Sequence, residues 1–302
     1  MKRYRDYNGY LREIFGERVQ KISLDAGLNC PNRDGTIGKG GCIYCDQRGS
    51  GTGAMIHEGL SIDAQIMRGR RFAETRYGAG KFIAYFQSFT NTYGPLSTLK
   101  ALYDQALKHA DVVGLAVATR PDCVNPQVLE LLASYQKDRL VWLEYGLQSA
   151  HDRTLIRINR GHSVACFEEA VRSAHGQGLK VCAHVILGLP GETREMMLQT
   201  ARFLGRLAVD GVKIHLLYVV EGTALAELYQ QGEYQCLERD AYVDLVVDFL
   251  ELLPSAMVIQ RLTGDPTGPG LLAPLWAREK SRVLHLIQRR LEQRDTWQGK
   301  LY

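Results

Sequence analysis

Residues Lys180–Leu217 read KVCAHVILGLPGETREMMLQTARFLGRLAVDGVKIHLL, and the hydrophobic pattern changes period twice along them. Lys180–Leu187 is almost continuously apolar and β-branched, as a strand covered on both faces requires. Thr193–Leu207 then places Met196, Met197, Thr200, Phe203, Leu204 and Leu207 at a 3.6-residue period. Val212–Leu217 returns to the strand pattern. A strand, an amphipathic helix and a second strand in this order make a parallel βαβ unit.

Working outward, Val19–Leu24, Phe82–Phe86, Val112–Ala118 and Val141–Gly146 repeat the strand pattern. After the first gap these runs recur every roughly 30 to 40 residues, the length of a βα unit. Pro95–His109 carries Leu96, Leu99, Leu102, Ala106 and Leu107 at helical spacing. Six such runs predict an α/β fold, a partial (β/α)6 TIM-like barrel, with a doubly wound open sheet as the alternative. Either architecture places ligands at the carboxyl ends of the strands. Residues 1–255 are assigned to the barrel and 256–302 to a C-terminal extension packed on it. Within the extension, Arg278–Arg294 forms a helix with Val283, Leu284, Leu286, Ile287 and Leu291 on one face. Arg282, Arg289, Arg290 and Arg294 lie on the other, as a solvated basic face or, as the lesser reading, a contact for a polyanion.

The chain has 302 residues, 45% hydrophobic and 23% charged, which excludes disordered and fibrous classes. A net charge of +4 neither selects nor excludes nucleic acid. Met1–Leu11, MKRYRDYNGYL, has no apolar stretch after its basic residues and does not read as a signal peptide. The most apolar region, Asp244–Ile259, is broken by Asp248, Glu251 and Pro254, so no membrane span is expected. Seven cysteines, an odd number in a long chain, disfavour a secreted disulfide scaffold. The expectation is a soluble cytoplasmic protein whose clustered cysteines ligate a metal or act in catalysis.

Cys30, Cys42 and Cys45 follow the first strand run, with eleven residues in the first gap and two in the second. The insert Pro31–Gly41 holds Gly35, Gly38, Gly40 and Gly41, suited to a tight loop that turns backbone amides toward a bound centre. A structural zinc site usually takes four protein ligands; His57 is the candidate fourth. A [4Fe–4S] cluster held by three thiolates leaves one iron open for a small molecule. Iron–sulfur, zinc and incidental clustering all remain open on spacing alone. Cys123, Cys166, Cys182 and Cys236 are scattered and read as packing thiols.

Longer blocks carry a family resemblance: SLDAGLNCPNRDG at Ser23–Gly35, GGCIYCDQRGSG at Gly40–Gly51, AYFQSFTNTYGP at Ala84–Pro95 and ATRPDCV at Ala118–Val124. LEYGLQSAHDRTL at Leu143–Leu155, INRGHS at Ile158–Ser163, VILGLPGET at Val185–Thr193 and RLTGDP at Arg261–Pro266 continue it. Over nearly its whole length the chain resembles the radical S-adenosylmethionine (SAM) enzymes, and more narrowly the bacterial YhcC/YtqA-type group. Its core is also similar to the radical SAM half of the Elongator catalytic subunit. The usual motif of that superfamily has three residues in its first cysteine gap; the eleven here lengthen the loop.

The resemblance implies a partial barrel of the radical SAM type with a [4Fe–4S] cluster on Cys30, Cys42 and Cys45. SAM would occupy the open iron and be cleaved reductively to a 5′-deoxyadenosyl radical. It implies SAM contacts from Tyr44, from Gln87 and Ser88 in place of the usual glycine-rich motif, from Glu144 and Gln148, and from Gly188 and Pro190. Each of these also fits barrel packing or loop geometry. Substrate-side candidates are His184, His215, Tyr218 and Arg120, with Tyr85 and Asn91 behind them; a core histidine or tyrosine bonded to backbone is the plainer reading. The Elongator-like core implies modification of transfer RNA (tRNA) at the wobble uridine. Lys2, Arg3, Arg5, Arg68, Arg70, Arg71, Arg76 and the C-terminal helix would then supply phosphate contacts. A small metabolite or protein side chain is the alternative substrate, and a non-catalytic zinc or RNA-binding module the alternative of another class. An electron donor such as flavodoxin or ferredoxin is implied as partner.

Overall fold

Nine strands are present in the computed structural model, which describes residues 2–47, 49, 59–266 and 270–302. They are β1 (Val19–Leu24), β2 (Lys81–Phe86), β3 (Val112–Thr119), β4 (Leu140–Gln148), β5 (Lys180–Leu187), β6 (Gly211–Leu216), β7 (Val219–Val220), β8 (Val258–Arg261) and β9 (Leu271–Ala273). Seven of them form one parallel sheet in the order β1-β2-β3-β4-β5-β6-β8, while β7 and β9 pair separately and antiparallel. All six expected strand runs appear, and the sheet gains β8, which pairs with β6 through Gly211↔Val258 and Lys213↔Arg261. The division expected at residue 255 thus falls just before a strand of the barrel sheet.

The βαβ unit of Lys180–Leu217 folds as its periods dictate. The Thr193 hydroxyl caps the helix Arg194–Leu207 by accepting from the Met196 N–H, and Ala208 ends it in the left-handed region. Met197, Phe203 and Leu204 are buried in the core that covers the outer face of the sheet. Gly191 turns the chain between β5 and this helix at φ 78°; a Cβ there would meet Arg157 Nη1 at 2.6 Å.

Side-chain contacts show that the sheet is curled. Lys21 Nζ on β1 lies 2.6 Å from Glu144 Oε1 on β4 and 2.7 Å from Gln260 Oε1 on β8. In a flat sheet three strand steps span about 14 Å and six about 29 Å. Phe82, Ala84 and Phe86 face outward into the helix-covered core, while Ile83 and Tyr85 face the lumen. The lower end of the lumen is plugged. Tyr7 and Tyr10 of the helix Tyr7–Phe15 meet fully buried Trp142 edge-on at 6.1 and 5.8 Å, and Ile259 N–H donates to Arg5 O at 2.8 Å. Access is therefore from the carboxyl ends of the strands.

The C-terminal helix runs Lys280–Gln293 and buries Val283, Ile287 and Leu291 against the helix Arg239–Glu251. No described helix is long and apolar enough to cross a membrane.

Candidate active site

The chain leaving β1 enters a loop that is tied to itself. Arg33 N–H donates to Cys30 O at 2.8 Å, Ile37 N–H to Pro31 O at 2.9 Å, Gly41 N–H to Asn32 O at 2.9 Å and Cys45 N–H to Cys42 O at 2.9 Å. The eleven-residue gap thus doubles back, and Cys30, Cys42 and Cys45 all line one cavity at the carboxyl ends of the strands. Gly41 takes φ 79° where a Cβ would press on Arg33 Nε at 3.0 Å, so the return needs glycine.

A second segment, Ile158–His162, clamps this loop. Ile158 O accepts from Ile43 N–H at 3.1 Å, and the Asn159 amide donates to Gly41 O at 2.7 Å. The Asn32 amide donates to Asn159 O at 2.6 Å and approaches Cys42 Sγ at 3.8 Å. Buried Arg160 donates through Nη2 to Gly146 O at 2.7 Å and lies 3.7 Å from Cys42 Sγ through Nη1. Burial works against the Arg160 charge, but Cys42 and Tyr44 beside it raise its pKa above the usual arginine value. Burial, then Cys42, pushes the Tyr44 hydroxyl well up.

Beneath the cavity Glu144 is fully buried and saturated. Oε1 accepts from Lys21 at 2.6 Å; Oε2 accepts from Lys213 and is 2.8 Å from His184 Nε2. Burial favours its neutral form, yet Lys21 and Lys213 outweigh that and hold the carboxyl well below its usual value. Burial, only partly offset by Glu144, brings Lys213 down to about 7. Burial and then Lys213 bring His184 down to about 4, and burial and then Arg261 hold His215 well below its usual value. Tyr85 presents its ring to Lys213 at 4.0 Å and to Lys21 at 4.8 Å.

Of the residues expected from sequence, Tyr44, Tyr85, Gln87, Arg120, Glu144, Gln148, His184, His215 and Tyr218 line the cavity with the three cysteines. Arg120 does so with its guanidinium engaged: it grips Asp122 at 2.8 and 2.7 Å and donates to Arg160 O at 2.8 Å. Ser88, Asn91, Gly188 and Pro190 are not among the lining residues. Asn91 donates to Ala118 O at 2.9 Å beneath the surface, and Gly188 packs behind β5, where its carbonyl accepts from Tyr234. His57 lies outside the described residues. The remaining cysteines behave as packing thiols: burial raises Cys123 to about 12 and Cys236 to about 11, and also raises Cys166 and Cys182. Among the described residues no three His, Cys, Asp or Glu side chains converge to hold a single metal ion. The three thiols instead share a cavity wall, and N–H groups of Asn32 and Arg160 face Cys42 Sγ as donors face cluster sulfurs. That donor set fits an iron–sulfur cluster. Sequence reading missed Arg160, Asn32, Lys21, Lys213 and Arg261, none of which falls in a spacing rule.

A family model described as the radical SAM superfamily matches residues 30–204, and one described as the radical SAM C-terminal domain matches 209–293. The chain belongs to the radical SAM superfamily. As a radical SAM enzyme it uses a [4Fe–4S] cluster and SAM. It is 42% identical to YtqA of Bacillus subtilis over 302 residues, covering 100% of this chain and 93% of that one. It is 40% identical to YhcC of Escherichia coli K12 over 275 residues, covering 91% and 87%. A tRNA uridine(34) acetyltransferase of Dehalococcoides mccartyi is 30% identical over 175 residues, covering 57% of this chain and 37% of that one. The archaeal Methanocaldococcus infernus Elp3, with an N-terminal deletion, shares the fold at TM-score 0.68 and 19% identity, covering 93% of this chain and 64% of that one.

Proposed function

We propose that this radical SAM enzyme is cytoplasmic, holds its cluster on Cys30, Cys42 and Cys45, cleaves SAM reductively and modifies tRNA at the wobble uridine. The observation that carries the cluster assignment is the single cavity bordered by all three thiols and clamped by Asn159 and Arg160. Bound there, the reduced cluster would supply an electron to the sulfonium of SAM, whose C5′–S bond would break to give methionine and a 5′-deoxyadenosyl radical able to take hydrogen from an unactivated carbon.

The chain's own residues prepare that chemistry. The folded-back loop holds three sulfurs at the mouth. Arg160 and Asn32 bring N–H groups to Cys42 Sγ, an interaction that tunes cluster potential. Tyr44, Gln87 and Gln148 border the space beside the sulfurs and are the SAM contacts in this reading, whereas Ser88, Gly188 and Pro190 support the walls. The plug of Tyr7, Tyr10 and Trp142 closes the lower end to water, which protects a reactive intermediate. A flavodoxin or ferredoxin is the electron donor.

The tRNA substrate is supported by the likeness to the D. mccartyi tRNA uridine(34) acetyltransferase and to Elp3. A second reading, a small metabolite or protein side chain as substrate, is favoured by the pairing of the basic residues. Lys2 pairs with Asp6, Arg3 with Asp295, Arg5 with Glu13 and Arg70 with Asp111, while Arg290 and Arg294 pair with Asp244. Anaerobic reconstitution followed by measurement of 5′-deoxyadenosine with and without bulk tRNA tests both. Stimulation by tRNA, with loss of a wobble-uridine modification in a deletion strain, is expected. Turnover indifferent to tRNA and unchanged wobble nucleosides would remove the tRNA reading.

A further inference from the structure

The floor of the cavity carries more positive charge than the fold itself uses. Lys21, Lys213 and Arg261 gather there around one acid, Glu144, whose two oxygens are already taken by the lysines and His184. Asp265, which also borders the cavity, is committed to Lys280 at 2.6 Å. Arg261 stands beside Lys213 in the β6–β8 register and within electrostatic reach of His215 and Tyr85. It forms no hydrogen bond or ion pair through its side chain with another described residue. Two further polar atoms wait at this level: His215 Nε2 and Gln260 Nε2 are shut off from solvent and lack a partner among the described residues. Unpaired buried polar groups are costly, and a cluster of them beside an unpaired guanidinium is the form an anion site takes before its ligand arrives.

We propose that Arg261, Lys213 and His215 form an oxyanion subsite that seats a carboxylate or phosphate group of the substrate on the lumen floor. The inference rests on reading the cavity as the chamber for SAM and substrate, and it adds the chemical class the substrate presents at its inner end. Arg261 supplies a planar fork for two oxygens, Lys213 a point charge, and His215 a neutral donor through Nε2. With Glu144 saturated, the floor repels no incoming anion at close range and the anion completes the charge balance. The carboxylate of SAM offers the same chemistry as a substrate group, so the two sources have to be separated.

Anaerobically reconstituted holoenzyme is titrated calorimetrically with inorganic phosphate, with acetate and with SAM. Wild type is expected to bind one of the two anions, and Arg261→Gln to weaken that binding by about tenfold or more, as loss of a charge-assisted contact does. SAM affinity and the visible spectrum of the cluster should be unchanged in the variant. Arg172→Gln, on the exposed face of the helix Val164–Gly176, should leave every titration as in wild type. The subsite is overturned if wild type binds neither anion, if Arg261→Gln binds them as wild type does, or if SAM affinity falls in step with anion affinity. An enzyme that binds phosphate through Arg261 yet never yields 5′-deoxyadenosine would keep the subsite and remove the catalytic reading.

Discussion

Replacing Glu144 by Gln removes the one negative charge that holds the lumen lysines together. The geometry sets the size of the effect. Lys21 Nζ lies 2.6 Å from one carboxylate oxygen, and Lys213 and His184 meet the other. Unit charges about 4 Å apart attract by about 4 kcal/mol at an effective dielectric near 20. Desolvation offsets much of that gain, and removing one member of a buried pair costs about 3–5 kcal/mol because the other charge is stranded. Burial brings Lys213 down to about 7, so near neutral pH it carries only part of its charge and less is stranded there when Glu144 is lost. The lower figure, about 3 kcal/mol, then applies. The pH dependence has a definite sign. As pH falls through 7 the wild-type native state takes a proton on Lys213; without Glu144, which raises that pKa, the variant takes it only at lower pH. Between the two values wild type binds more protons when folded, so the stability gap widens by about 1.4 kcal/mol per unit of pH. Glu144 itself, held well below its unfolded value, contributes fully at every pH above about 4.5 and does not alter the trend. Urea unfolding of both proteins, followed by circular dichroism at pH 6.0, 7.5 and 8.5 under anaerobic conditions, reads the gap directly. A loss below about 1 kcal/mol that stays flat with pH, the behaviour of an exposed pair, would refute the picture of a dry, charge-coupled lumen.

Three further outcomes follow from the same geometry. Cys30→Ala, Cys42→Ala and Cys45→Ala should each abolish formation of 5′-deoxyadenosine, while Cys123→Ala and Cys236→Ala keep it; equal loss in all five would show that the ligands are misassigned. Arg160→Met should make the cluster midpoint potential more negative, because an N–H group 3.7 Å from Cys42 Sγ is lost. Redox titration by electron paramagnetic resonance checks this, and an unchanged potential counts against the contact. Trp142→Ala empties the centre of the barrel plug, where the indole is fully buried, and should cost about 3–5 kcal/mol in urea unfolding; a loss under about 1 kcal/mol, the size of an ordinary surface change, would mean that the lower end is not sealed by packing.

The barrel was legible where a strand is long enough to show its period. Lys180–Leu187 and Val112–Thr119 are eight residues each and mostly apolar, so they announce themselves. β8 has four residues, of which two are polar: Arg261 lines the cavity and Gln260 accepts from Lys21 across the lumen. With only Val258 and Ile259 before its polar residues, the strand is too short to show a period, and the expected boundary was drawn just before it. The cysteines stood out for a related reason: the proposed ligand role demands one residue type at fixed places, and their loop demands glycine at Gly41. The clamp did not. Arg160 reaches Cys42 from 118 positions away, and Lys21 reaches Glu144 across 123. Such contacts arise when a sheet curls and brings distant strands together, and no local period encodes them. The same curl converts Arg120 from a free-looking guanidinium into a brace for the Arg160 carbonyl. It also leaves Arg261, which opens the RLTGDP block but was given no role there, as the cation at the floor without a described side-chain partner. Residues read as functional from sequence sit both on the cysteine loop and along β2 to β6 at the cavity. Under the proposed oxyanion subsite, the residues that would choose the substrate add Lys213 on β6 and Arg261 on β8, which sequence did not single out, to His215, which it did.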